Sequence, residues 1–533
     1  MGTRANKTIV VIAVLLVGCF SGGCKSGAKT NEFAMPEGLG ASIGSLVEVV
    51  TPGLVPVEGY GMVGGLRGTG SGECPTRVRK YLEQYILKQL PEPRMDVDAF
   101  INSSDTAVVR VYGVMPTAVT QSRNFDVMVS ALAGTQTTSL EGGWLYSTEL
   151  KQLGRFGMAT RIMGVSEGPV YIDTLESTRP DRRVGYVPGG GIALGDYPIN
   201  LVLRKPEFKL TSALRNRLNG RFGPETAKAL AVSRIELRVP AKYAKQPQRF
   251  ISMVKALYLA ETPELTKERI KTFVKMLAVS DDDGLSEIAL ETIGNESLDK
   301  LSALLNSGYE RVRLQAARCM LNLGSDAGLE TLRTIAMDKN SALRVEALEA
   351  IAGGARRNDT AAIGRRLLGD ENFEIRLASY EQLRQIDDIS VTRIPVARSF
   401  YLDQISQTQY KSIYVSRSGE PRIVLFGTPI LCRDNMFIQS ANGEITMDSR
   451  AGQQYVSLIR KHPTRPTVVG PIRCSQELGD IIQTLCEEPV KRTEQGRVGL
   501  GVSYAEMIGL LKQMCEKGAI EAEFKAGPLP SIE

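Results

Sequence analysis

Histidine is almost missing from this chain. Among 533 residues there is one, His462. A Ser-His triad or a histidine-ligated metal centre would have to be built on that single imidazole. It stands between Lys461 and Pro463, the setting of a solvated loop. Cysteine is sparse: eight residues, none in C-x-x-C spacing, so neither a zinc module nor a redox motif is indicated. Dense Lys/Arg runs are lacking too. A formal charge of +6 over this length is a weak excess, which gives nucleic-acid binding no support. The apolar run near the N-terminus, Thr8 to Val17, is shorter than the about 20 residues a helix needs to span a bilayer. No catalytic, cofactor-binding or metal-ligating residue is nominated, and no cofactor is expected.

What is present begins with an ordinary globular composition, 43% hydrophobic and 23% charged. The length calls for two to four domains. Residues 1–18 form a targeting segment: Arg4 and Lys7 precede the apolar run, which ends in Leu16-Val17-Gly18-Cys19. That ending looks like a bacterial lipobox and makes Cys19 the expected lipidation site, with Cys24 after Ser21-Gly22-Gly23 the alternative. Residues 19–44 then read as a tether rich in small and polar residues. Export permits disulfides. Cys474 and Cys486 are the closest pair near the C-terminus and the candidate bridge, whereas Cys319 lies on a helical apolar face, as a buried thiol would.

The most distinctive stretch is Gly59-Tyr60-Gly61-Met62-Val63-Gly64-Gly65-Leu66-Arg67-Gly68-Thr69-Gly70. Gly59-x-Gly61-x-x-Gly64 matches a dinucleotide fingerprint only as a string. The motif needs a strand before it and a helix opening at its last glycine, and here more glycines follow before the amphipathic run from Pro75 to Leu90. The alternative is a glycine-rich strand and turn that another backbone approaches closely, with Gly59, Gly61, Gly64, Gly65, Gly68 and Gly70 as structural glycines. Carboxylates such as Asp281-Asp282-Asp283 read as a solvated turn.

The fold class expected is α+β. Over residues 45–260 short alternating strands (Phe125 to Ala131, Ile199 to Leu203, Ile235 to Val239) mix with helices, and mixed sheets are expected. Gly189-Gly190-Gly191 reads as a loop. Over 263–388 the pattern turns helical. Leu301 recurs as Leu332 and Ile363, and Leu305 as Ala336 and Leu367, at about 31 residues, within the range of two-helix solenoid units. Val312-Arg313-Leu314, Leu343-Arg344-Val345 and Ile375-Arg376-Leu377 recur in the second helices. The units resemble short HEAT repeats. Arg313, Arg344 and Arg376 read as bonds across the inter-helix loops, against the alternative of a basic ligand ridge. Residues 395–533 return to strands, with a proline-rich surface loop from Arg460 to Pro471 and a closing helix from Tyr504 to Glu516.

The glycine stretch, followed in order by Phe125-Asp126-Val127-Met128-Val129, Ser139-Leu140-Glu141-Gly142-Gly143, Ile199-Asn200-Leu201-Val202-Leu203 and Gly499-Leu500-Gly501-Val502-Ser503-Tyr504, resembles the flagellar basal-body P-ring protein family. The resemblance implies a mixed-sheet domain in two sequence halves, here separated by an all-α HEAT-like block that the family pattern lacks. It implies a non-catalytic, homo-oligomeric ring in the periplasm, around the distal rod, with flagellar rod and outer-ring proteins as partners. The N-terminal lipid would add contact with the outer membrane, since neither Phe20 nor Lys25 is aspartate. The alternative is a periplasmic scaffold lipoprotein with this fold that binds a protein partner through its solenoid.

Overall fold

The computed structural model describes residues 35–36, 38–50, 54–89, 96–116, 124–155, 160–176, 180–194, 198–279, 284–440, 442–461, 468–488 and 499–532. The targeting segment, Cys19, Cys24, Asp281 to Asp283 and His462 lie outside the described residues. The expected tether reaches less far than residue 44. Leu39 is buried, its carbonyl accepts from Arg269 Nε at 3.0 Å, and Ile43 is fully buried.

Helix α1 (Ile43–Leu46) and strand β1 (Val47–Val50) open the fold. Then come β2 (Val55–Gly64), α2 (Thr76–Gln89), α3 (Val97–Ile101), β3 (Thr106–Met115), β4 (Asn124–Ala131), β5 (Trp144–Gln152), β6 (Gly164–Pro169) and β7 (Val184–Ala193). Strands β2 to β7 close into a barrel in the order β2-β3-β4-β7-β6-β5, with every pairing antiparallel. Alternation makes this possible: Val109, Val111, Val127 and Val129 fill the interior while Arg110 faces water. Helix α2 lies against the barrel through Val78, Tyr81, Leu82 and Tyr85. The three glycines at 189–191 are not a loop. They continue β7, and the register of β4 on β7 shifts between Phe125 and Val127, so the strand bends without leaving the sheet.

A second antiparallel sheet follows. It is built from β8 (Ile199–Leu203), β9 (Ala227–Ala231) and β10 (Arg234–Leu237), with helix α4 (Phe208–Phe222) between β8 and β9. Its order is β1-β8-β10-β9. Leu201, Leu214, Leu218 and Ile235 form its core with Phe250 of α5 (Pro247–Ala256).

The helices continue as α6 (Pro263–Leu277), α7 (Leu285–Ile293), α8 (Leu298–Leu304), α9 (Glu310–Asn322), α10 (Leu329–Met337), α11 (Arg344–Gly354), α12 (Arg357–Leu367) and α13 (Phe373–Gln385). Helices α5, α7, α9, α11 and α13 form one row, each against the next, while α6, α8, α10 and α12 pair with the helix that follows. Leu301, Leu332 and Ile363 are buried at equivalent places. Arg313 donates to Ser307 O at 2.8 Å, Arg344 to Ala336 O at 3.0 Å and Arg376 to Asp370 O at 2.9 Å. Each arginine thus satisfies carbonyls left open at or just beyond the end of the preceding helix.

The C-terminal part contains β11 (Thr392–Val396), β12 (Phe400–Ile405), β13 (Ser412–Val415), β14 (Arg422–Phe426), β15 (Met436–Gln439), β16 (Ile445–Ser449), β17 (Val456–Lys461), β18 (Val468–Cys474), α14 (Leu478–Cys486), α15 (Tyr504–Glu516) and β19 (Glu523–Ala526). The sheet β11-β12-β14-β13-β19 is mixed, with β12 parallel to β14 and β13 parallel to β19; β15 to β18 form an antiparallel meander. Mixed pairing therefore occurs here and not in the N-terminal sheets, whose neighbours all run antiparallel. Among the described residues no strand of 395–533 pairs with one of 45–260, so the two stretches meet only through side chains and loops. Arg460 is no loop residue either: it is buried in β17 and donates to Leu500 O at 2.6 Å. The Cys474–Cys486 bridge is not formed, since all six described cysteines are free. Cys474 Sγ meets Thr484 Oγ1 at 3.4 Å, whereas Cys486, two residues further along α14, turns into the core. Two residues are about 200° of helical rotation, so one helix face cannot present both.

Asp388 joins the helical row to β11. Its carboxylate accepts from Arg365 at 2.6 Å and from Ser390 Oγ at 2.7 Å. The Arg365 hydrogen bond, aided by Ser390, holds its pKa down to about 2. Because this lies below the roughly 3.9 of an unfolded aspartate, the paired carboxylate stabilises the fold above that value. The stabilisation is lost as pH falls toward about 2. Urea unfolding across this window should show a shallower fall in stability for Asp388→Asn than for the parent; equal slopes would remove Asp388 from the acid response.

Candidate functional site

The glycine-rich stretch supplies the most constrained surface of the barrel. Strand β2 is flanked by β3 and β5, and the side of β2 that carries Gly59 and Gly61 lies against the backbone and side chains of β5. A Cβ on Gly59 would overlap Glu149 O, and one on Gly61 would overlap Thr148 Oγ1. At Gly64 it would stand 2.6 Å from the Tyr146 ring. The register of β2 on β5 breaks between Glu58 and Val63, where the Gly59 and Gly61 contacts occur. After Gly64 the chain turns through Gly65, Gly68 and Gly70; Gly68 has φ +88, and a Cβ on Gly70 would overlap Thr106 O. The fingerprint glycines thus lie within a strand, and α2 begins only at Thr76. No helix N-terminus stands at Gly64 to receive a phosphate.

Under α2 the barrel wall buries a charge pair. Lys151 Nζ lies 3.2 Å from Glu149 Oε2, and Tyr81 OH donates to Glu149 Oε2 at 3.1 Å. Burial first, and then the Glu149 charge, push the Tyr81 phenol well above its usual range, so it remains a donor. The arrangement locks α2 to β5. Among the described residues no group of three or more His, Cys, Asp or Glu could hold a metal ion.

The turn after β2 faces the C-terminal part across a cleft of 370 Å³, lined by Arg67, Glu141 and Arg182 on one side and Glu444, Glu506 and Gln513 on the other. Arg67 reaches Glu444 at 3.6 Å. Beside the cleft the two parts are clamped. Asp126 on β4 accepts from Gly189 N–H at 2.7 Å, Ser418 Oγ at 2.6 Å and Gly419 N–H at 2.8 Å. Arg417 reaches Asp173 at 3.4 Å and Glu176 at 2.6 Å. Tyr171 belongs to the C-terminal core, with its ring 6.3 Å from that of Tyr504. Asp126 and Tyr504 fall within stretches that carry the resemblance, but nothing in the sequence marks either as a clamp. Asp126 is one more polar residue on an alternating strand, and its partner Ser418 is 292 positions away.

Gly61→Ala should destabilise the protein by about 1–3 kcal/mol, the usual range for overpacking, as read by thermal unfolding. Thr148→Ser, which removes the nearby methyl but not the hydroxyl, should recover less than Thr148→Ala. A Gly61→Ala protein as stable as the parent would show that β5 can yield at this point.

Comparison with known proteins places the similarity on these elements. Residues 43–270 match the family model described as Flagellar P-ring protein. A Flagellar P-ring protein of Aquifex aeolicus is 28% identical over 214 residues, covering 37% of this chain and 56% of the relative. One from Pseudothermotoga lettingae is 26% identical over 272 residues, 47% of this chain and 78% of the relative. One from Rhodopseudomonas palustris is 30% identical over 217 residues, 37% and 55%. The chain thus spans little more than half of the first and third of these relatives. The family match begins at α1 and ends within α6, so the barrel, the second sheet and α5 are the parts of this chain that are similar to flagellar P-ring proteins.

Proposed function

We propose that this chain is a non-catalytic structural subunit of a flagellar P-ring, assembled with copies of itself around the distal rod. One observation carries the reading: the matched residues, 43–270, coincide with the barrel and second sheet, whose glycine strand is built for close packing. A ring needs a heterologous contact whose rotation closes, and rigid, tightly packed walls keep that rotation constant from subunit to subunit. In this reading 263–388 is a HEAT-like block set into the ring protein, 395–533 completes the subunit, and rod and outer-ring proteins are its neighbours. The six glycines from Gly59 to Gly70 serve packing. Lipid on Cys19 holds the ring to the outer membrane from the periplasmic side.

Basal bodies isolated from the native cell should contain this chain in a closed ring at the distal rod, and cells lacking it should not swim. Normal motility without the chain would sink the proposal. Cys19→Ser should abolish lipid labelling and membrane retention while Cys24→Ser leaves both; the reverse pattern would move the anchor to Cys24.

A further inference from the structure

The sheet β1-β8-β10-β9 has two open margins, β1 and β9. In an antiparallel pair, alternate residues direct both backbone groups at the partner strand. Arg204 N–H donates to Leu46 O at 3.0 Å, so Leu46, Glu48 and Val50 face β8, and Val49 directs its N–H and C=O off the sheet. At the opposite margin Arg238 N–H donates to Thr226 O at 2.9 Å, so Thr226 and Lys228 face β10, while Ala227 and Ala229 point away. Asn219 already covers Ala227: its side chain accepts from Ala227 N–H at 2.8 Å and donates to Ala227 O at 3.0 Å. Val47 N–H is likewise taken, by Ile43 O. Val49 and Ala229 are left as the central off-sheet positions, and among the described residues no third strand borders either margin.

We propose that β9 of one copy pairs antiparallel with β1 of the next, Ala229 opposite Val49, so that the second sheet runs on from subunit to subunit. The proposal rests on the ring reading and names its contact. The antiparallel sense continues the alternation already present across the sheet. Facing is right as well: Val49 lies beside Leu201 and Ala229 beside Ile235, both fully buried, so the inner face stays apolar across the junction. On the outer face Lys228 of one copy stands opposite Val50 and diagonal to Glu48, within reach of a long side chain. Val50 and Leu230, each 42% exposed in the single chain, are covered by the methylenes of these charged neighbours. The plug at Ala227 excludes the register shifted two residues along β9, which would set Ala227 opposite Val49. The two margins differ, so the contact is heterologous, as ring closure requires.

Within one chain Glu48 and Lys228 sit three strand spacings apart, about 14 Å, so they act on each other only between copies. Glu48→Lys and Lys228→Glu should each lower the amount of this chain in isolated basal bodies by about fivefold, near the upper end expected for like charges on neighbouring strands. The double exchange should restore it. Val49→Pro and Ala229→Pro delete only off-sheet N–H groups, which strand margins tolerate; with unchanged thermal unfolding, both should abolish incorporation. If wild-type rings form, yet the folded proline variants incorporate normally and the double exchange recovers nothing, the edge contact is wrong and the ring reading stands. If the wild-type chain never enters a ring, both fall.

Discussion

The molecule depends on a carboxylate that water does not reach. Glu287, in the first turn of α7, is 1% exposed. Burial alone would raise its pKa, but Arg249 and Arg318, both 2.5 Å away, outweigh this and hold it below the ordinary carboxylate range. A buried charge of this kind persists only if its partners are fixed in place. Those partners lie on α5 and α9, on either side of α7. Arg318 also reaches Glu346 of α11 at 3.1 Å, and Arg249 pairs with Glu291 one turn along α7. One network therefore sets the spacing of four successive helices. It also fixes where the row begins, because α5 belongs to the core of the second sheet.

The sequence made some of this legible and hid the rest, for physical reasons. The helical row could be seen because its units repeat: buried Leu301, Leu332 and Ile363 recur at constant spacing, and Arg313, Arg344 and Arg376 bond locally, to carbonyls five to eight residues away. The closing helix was equally plain, since Ile508, Leu511 and Met514 recur on one face and Gly518 follows its end; the structure adds a capping box of Ser503 and Glu506 at its start. The barrel was not: of its strands, alternation marked Phe125 to Ala131, and the glycine stretch read as a strand and turn only as an alternative. Alternation reveals a strand but not its neighbours, and closure depends on pairings such as β2 with β5 that skip over β3 and β4. Glycine triplets misled in the same way. Gly189 to Gly191 look like a loop in sequence, yet they keep their place in β7 so that Gly189 N–H can meet Asp126 and its backbone can approach Gly419. The Glu287 network gave no signal, because its charges are distributed over helices that read as ordinary amphipathic surfaces. Cys474 and Cys486 were near in sequence, but Cys474 faces Thr484, and helical rotation between 484 and 486 turns Cys486 away from it into the core.

Read as a string, residues 263–388 look like an addition that could be removed. The contacts at both ends argue otherwise. At the start, Arg221 of α4 donates to Thr292 O at 2.7 Å and Glu291 O at 2.8 Å, tying the second sheet to α7. At the finish, Tyr380 OH donates to Asp403 at 2.5 Å, and Arg422 pairs with Glu381, tying α13 to β12 and β14. Asp403 is fully buried, and burial raises its pKa despite Tyr380 and Arg393. Without α13 this carboxyl would lose its closest hydrogen bond in an apolar setting, a costly state.

These contacts form a circuit. The second sheet holds the helical row, the row holds the C-terminal sheets, and those return to the barrel through Asp126, Arg417 and the Tyr171–Tyr504 contact. The barrel and the second sheet are neighbours along the chain, β1 preceding β2 and β8 following β7. A chain of domains linked end to end can flex at each junction, whereas a circuit can flex only if several junctions yield together. In the ring proposed above, a subunit that must repeat one rotation until closure would gain directly from that restriction, because angular error accumulates around a ring. The helical row thus acts as a brace between the second sheet and the C-terminal sheets, anchored by buried charge at its start and by the Tyr380–Asp403 and Arg422–Glu381 contacts at its finish.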